Sequence, residues 1–165
     1  MPGTPTSIDM SRKAERLVVE GVRRLMAGYA TGDVGCWEMA WKLYAVELGT
    51  GHARKPSSEL AHYARALKTH GKRSLCLFPY DCPRLCQDEC LIASLVAGAQ
   101  THDCAVLEAV GSALVLEEGV GETLFAAGEF AAALKDCGLV LKPVELSRLP
   151  LEECPLKRLS PGRMH

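Results

Sequence analysis

Cys76-Leu77-Phe78-Pro79-Tyr80-Asp81-Cys82-Pro83-Arg84-Leu85-Cys86-Gln87-Asp88-Glu89-Cys90 runs straight into Leu91 to Ala99, the most apolar segment of the chain. Four of the eight cysteines fall in this stretch. Ser74 to Pro79 is short, apolar and closed by a proline. The residue before a proline is pushed out of the helical region, so this piece reads as an extended crossing that tucks Leu75, Leu77 and Phe78 inward. Asp81-Cys82-Pro83 then has the grammar of a helix start. Proline has no N–H to lose at the first helical position, which leaves Asp81 or Cys82 as the cap. The helix so begun is expected to run to about Gln100.

On that helix Cys82, Cys86 and Cys90 are four residues apart. Each step of four rotates by about 40°, so the three sulfurs form one slanting stripe that continues through Ala93 and Ala97. Three readings follow. A line of small side chains lets a neighbouring helix approach closely, and free cysteine is a small, well-buried hydrophobe; on this reading the cysteines are packing. Alternatively, thiolates suit zinc or an iron–sulfur cluster. Cys76 would fold back over the helix start to join Cys82, Cys86 and Cys90 as metal ligands. Their spacing matches no zinc-ribbon or ferredoxin pattern. In the third reading, Cys82 at a helix N-terminus is an activated thiol that Cys86 resolves. Asp88 and Glu89 are expected on the solvent side, and either would need a partner such as Arg84 if buried. His102 and Cys104 lie about 25 Å along the helix from Cys82, too far to share its metal. Cys36, Cys137 and Cys154 stand apart from the cluster.

Outward from this stretch the periodicity is helical in both directions. Ala14, Leu17, Val18, Val22, Leu25, Met26 and Tyr29 share one face of a helix that begins at Asp9 or Ser11 and stops at Gly28–Gly32. Asp33 caps a second helix from about Val34 to Leu48, so rich in apolar residues that it is expected to be central. Its Trp37 and Trp41, one turn apart, read as core first and as a ligand-stacking wall second. Residues 49–56 read as a loop, and a third helix starts at Ser57 or Ser58 and ends near His70. Its Glu59 and His62 have the Glu-x-x-His spacing of di-iron bundles, but no second pair accompanies them, and both read as helix surface. Asp103 caps a fifth helix to about Glu117. A sixth runs from about Glu122 to Asp136, with Gly138 as its stop.

The expected architecture is all-α, a single-domain bundle or array of about six helices. Residues 1–8 form an arm, 9–142 the helical domain and 143–165 an extended C-terminal tail. With 165 residues, 48% of them hydrophobic and 24% charged, the chain can bury a core without staples. A net charge of −1 and 5% aromatics disfavour a nucleic-acid surface, which needs a basic excess and stacking platforms. No signal core or membrane-length apolar run is visible, so the expected location is the cytoplasm, where thiols stay reduced. No nucleotide-binding glycine loop, serine elbow or zinc-protease helix occurs. No catalytic residue is assigned, and the reading leans away from an enzyme. It favours an accessory or regulatory protein, with a cysteine-ligated site as the first hypothesis. A pure interaction module, engaging a protein partner or a second copy, is the competing one. A thiol–disulfide redox protein is the third.

Overall fold

The structure, a computed structural model, describes residues 8–79 and 82–151. Among these residues six α-helices follow one another: α1 (Lys13–Thr31), α2 (Val34–Leu48), α3 (Thr50–His70), α4 (Gln87–Thr101), α5 (Cys104–Leu114) and α6 (Val120–Asp136). Single 3-10 turns occupy Glu117–Gly119 and Leu146–Arg148. Among the described residues there is no strand; one antiparallel bridge joins Gly71 to Val115. The all-α expectation holds.

Asp33 and Asp103 cap their helices as expected, whereas α1 begins at Lys13 rather than at Asp9 or Ser11. The Asp33 carboxylate accepts from the Gly35 N–H at 2.8 Å, and that of Asp103 from the Val106 N–H at 3.2 Å. Each satisfies one of the backbone donors a helix N-terminus leaves open. Glycines Gly32 and Gly138 take left-handed conformations at helix ends, with φ of 73° and 80°. His102 does the same after α4, with φ of 56°. A side chain in that region costs about 1 kcal/mol that glycine avoids. His102→Gly is therefore expected to stabilise the protein by about 1 kcal/mol, read as a rise in the chemical-denaturation midpoint. A fall would show that the imidazole makes a compensating contact.

Helix α4 is the centre of the molecule. Every residue from Asp88 to Gly98 is buried, and so is Gln100. It packs against α1, α5 and α6, while α3 lies against α6, α2 and α1. Close approach requires small residues at the crossings. A Cβ on Gly98 would sit 2.8 Å from Val106 Cγ1 of α5, and one on Gly21 of α1 would sit 2.7 Å from Leu60 Cδ2 of α3. The two largest fully buried side chains add polar ties between helices. The Tyr44 hydroxyl donates to the Leu17 carbonyl at 2.8 Å, and the Tyr63 hydroxyl to the Ile92 carbonyl at 2.7 Å. Burial pushes both phenols far above their ordinary pKa, so they remain hydrogen-bond donors.

Helix α2 corrects its expectation. It is peripheral, and only Ala40 and Tyr44 are buried. Trp37 is 38% and Trp41 36% exposed, and Val46 lies almost wholly in solvent. Apolar residues cover more than half of its circumference, yet it contacts only α1 and α3 closely, so part of its apolar surface has nothing to pack on. Neither tryptophan is fully buried core, although Trp37 packs edge-on against Tyr29 of α1, ring centroids 4.9 Å apart.

Helix α3 begins at Thr50, seven residues before the expected Ser57, and carries Pro56 inside it. Proline there removes the N–H that would bond the His52 carbonyl. The Cys137 thiol reaches that oxygen instead, at 3.5 Å. The expected loop at 49–56 is thus helix, made tolerable by a donor from the end of α6.

The C-terminal segment takes up neither helix nor strand over residues 139–145. It is held to the helices by two buried side chains. The Gln100 amide donates to the carbonyls of Ala131 and Leu139, at 3.1 and 3.0 Å, and accepts from the Leu141 N–H at 2.8 Å. The Glu15 carboxylate accepts from the Lys142 N–H at 2.8 Å, and Arg12 donates to the Val140 carbonyl. Of the expected arm at 1–8, Ile8 is instead buried in the core; residues 1–7 and the tail beyond residue 151, with Cys154, lie outside the described residues.

Candidate functional site

The site is built where the chain crosses from α3 to α4. The expected helix at Cys82–Pro83 does not form there: α4 starts at Gln87, with Cys86 as its N-cap. The physical reason is Glu89. Its carboxylate turns back to accept from the Cys86 N–H at 3.1 Å, the backward half of a capping box. Capping three residues upstream ends the helix at that point and leaves residues 71–79 and 82–86 as a strap. Cys82, Cys86 and Cys90 consequently do not form a helical stripe; only Cys90 is inside the helix.

Asp88 and Glu89 are not on the solvent side. They are 0% and 1% exposed, and together they hold the strap down. Glu89 receives the Arg23 guanidinium from α1 at 2.7 and 2.9 Å, and the Phe78 N–H at 2.8 Å. Arg23 spends its remaining donors on the Cys82 and Arg84 carbonyls, at 2.7 and 2.6 Å. Burial alone would pull the Arg23 pKa down; the bonds and charge of Glu89 outweigh it and leave the guanidinium above its ordinary value. Asp88 receives Arg73 at 2.8 and 3.3 Å and the Cys76 N–H at 2.7 Å. Each buried carboxylate therefore has a cation and at least one backbone N–H, which is how burial of a charge becomes tolerable. The Arg84 carbonyl accepts from Arg23, while the Arg84 guanidinium lies over the Phe78 ring, 5.9 Å from the centroid.

Of the four cysteines proposed as metal ligands, the fold brings Cys76 and Cys86 together. The Cys86 thiol donates to the Cys76 carbonyl. The Cys82 sulfur accepts from the Arg84 N–H at 3.4 Å within its own loop, and Cys90 is buried in the core. Among the described residues, no group of three or more His, Cys, Asp or Glu side chains is arranged to hold a metal ion. Burial, reinforced by the charges of Glu89, Cys76 and Asp88, pushes the Cys86 thiol far up; burial pushes Cys90 up to about 11. Both stay protonated at neutral pH, unlike an activated thiol.

The strap also walls a cavity. An open groove of about 870 Å³ lies between the C-terminal halves of α1 and α3 and residues 71–79. Its floor is apolar: Met26, Ala27, Tyr29, Leu67, Leu75, Leu77 and Phe78. Among the described residues, the charged side chains lining it are Arg23, Lys68 and Arg73, with no carboxylate. Arg23 and Arg73 are spent on Glu89 and Asp88. Lys68 is exposed, makes no salt bridge among the described residues, and lies 5.4 Å from the Tyr29 ring centroid. A second hollow of about 440 Å³ adjoins it across Tyr29, lined by Gly28, Gly32, Val34 and Trp37.

Sequence reasoning found the half-buried Leu75, Leu77 and Phe78 but not the groove or the role of Arg23. One signal was available: Arg23 lies four residues after Val19 and three before Met26, so it shares a helix face with both, where a long cation needs a partner if buried. Among the described residues no helix is long and apolar enough to cross a membrane. Compared with protein-family models, curated proteins and solved structures, the chain matches none.

Proposed function

We propose that the protein is an accessory or regulatory binding module that seats an acidic, amphipathic helix of a protein partner in the groove between α1, α3 and the strap. The observation that carries this reading is the groove itself, apolar along its floor, whose charged lining side chains among the described residues are all positive. Helix-in-groove recognition uses apolar anchors at three- and four-residue spacing, and complementary charge at the rim sets which partner is accepted. Lys68 is the lining cation that pairs with no carboxylate among the described residues. A cysteine-ligated zinc or iron–sulfur site draws support from one contact, that of Cys86 with Cys76. The binding reading is preferred because the other two cysteines are placed apart from that contact, Cys82 tied to its own loop through the Arg84 N–H and Cys90 in the core.

The test uses two fluorescent synthetic helical peptides with the same apolar face, one with a glutamate polar face and one with lysines. The acidic peptide is expected to bind at least about tenfold more tightly, a difference of about 1.4 kcal/mol. Lys68→Glu should erase that preference, and Leu75→Asp should weaken both peptides. Equal affinities, or binding indifferent to Lys68→Glu, would overturn the reading. Sedimentation at the same concentrations separates self-association, which would make a second copy the occupant.

A further inference from the structure

We infer that Cys76 and Cys86 are a dithiol pair that mild oxidation converts into a disulfide, pinning the strap across the N-terminus of α4. Cys76 is held at both its backbone groups: its N–H donates to Asp88 of α4 at 2.7 Å, and its carbonyl accepts from the Cys86 thiol. By backbone dimensions, a hydrogen bond to that carbonyl keeps the Cys86 sulfur within about 6 Å of the Cys76 Cα. Closing the bond requires the two side chains to rotate toward each other, and a disulfide spans Cα separations of about 4.4–6.8 Å. Both residues are half-buried rather than sealed in the core, so a small oxidant can reach them. The other two cysteines of the cluster are placed differently. Cys82 is tied to its own loop through the Arg84 N–H, and Cys90 is 1% exposed.

With hydrogen peroxide as the oxidant, the Cys76 thiolate attacks one peroxide oxygen. The O–O bond breaks, hydroxide leaves and takes up a proton, and the sulfur becomes a sulfenic acid. The Cys86 sulfur attacks it, the S–O bond breaks, and water departs with the Cys86 proton. Two thiols and one peroxide become one disulfide and two waters, the two electrons passing from the sulfurs to the peroxide oxygens. Cys86 is the resolving partner because its proton is held by burial and by the Cys76 carbonyl. The consequence is mechanical. The strap, otherwise held by hydrogen bonds and ion pairs, acquires a covalent tie and its opening is suppressed.

The full-length protein, reduced and then exposed to equimolar hydrogen peroxide, is examined by intact mass and by disulfide mapping. The expected product is a monomer that has lost two hydrogens, with Cys76 joined to Cys86 and the change reversed by dithiothreitol. Amide exchange over residues 72–79 should slow by about tenfold or more on oxidation. Cys76→Ser and Cys86→Ser should each abolish the product, and Cys82→Ser should not. Serine is a preferred N-cap, so the Cys86 variant retains its helix start and remains a fair control. The inference is overturned by the absence of an intramolecular disulfide, by one that survives Cys76→Ser, or by unchanged exchange in the strap after oxidation. None of these outcomes depends on what the groove binds.

Discussion

Glu89→Gln is expected to cost about 3–5 kcal/mol of unfolding free energy, the range found when one partner of a buried ion pair is removed. The pair is 1% exposed on both sides, so solvent cannot take over from the lost carboxylate. Glutamine keeps the shape but leaves the Arg23 guanidinium as a buried cation facing a neutral amide. It also disturbs two backbone donors, the N–H groups of Phe78 and Cys86, that the carboxylate now accepts from. A domain of this size has about 5–15 kcal/mol of stability in all, so the variant should unfold at markedly lower denaturant with an unchanged slope. Arg23→Met should cost a similar amount, because it strands the carboxylate and leaves the Cys82 and Arg84 carbonyls without their present donor. The double variant should cost clearly less than the two single losses added together, since neither charge is then left alone. A loss below about 1 kcal/mol for Glu89→Gln would mean that the pair is worth no more than a surface one.

Asp88→Ala is expected to act on the neighbouring carboxylate with a smaller and more local effect, about 2–3 kcal/mol. Its partner Arg73 is 21% exposed, so the freed guanidinium can turn to water. The Cys76 N–H loses its acceptor and the strap loses its attachment at that end. Amide exchange should accelerate most over residues 72–79 while the helices stay protected, because low-stability segments open separately from the core. The acidic peptide should bind less tightly to this variant, since Leu75, Leu77 and Phe78 form one wall of the groove. Uniform acceleration through all helices would show instead that Asp88 holds the core as a whole.

The two carboxylates adjoin in sequence and resemble each other chemically, yet their roles diverge. Glu89 joins α1 to α4 through Arg23 and, as N3 of the capping box, fixes where α4 begins. Asp88 faces the other way and secures the strap. Read as a helix start from Pro83, the stretch puts both on a polar surface, since they precede the apolar run. That expectation fails because the helix start was placed by proline chemistry. Pro83 is compatible with a first helical position but does not compel one. The Glu89 hydrogen bond to the Cys86 N–H decides the matter, and Arg23, sixty-six residues earlier in the chain, supplies the charge that lets Glu89 be buried.

Helix α2 teaches the converse. Its composition argued for the centre, and α4, with Asp88, Glu89 and Gln100 in it, took that place. Apolar content states how much surface an element could bury, whereas the number of neighbours is settled by chain topology. Short links of two residues before α2 and one after it force α2 against α1 and α3, and leave Trp37, Trp41 and Val46 outside. Helix α4 is reached by a long strap and can be threaded among α1, α5 and α6.

The sequence by itself determined the all-α class, the helix starts at Asp33 and Asp103, the stop at Gly138 and the buried stripe of α1. These rest on caps, glycine and spacing within a few residues, and such local chemistry acts the same way wherever the helix ends up. Only the tertiary structure decided that α4 begins at Cys86, that Asp88 and Glu89 are buried, that Cys76 meets Cys86, and that a positively bordered groove opens beside the strap. Each of these depends on a partner far along the chain, and the cost of burying a charge or a thiol is known only once that partner is in place.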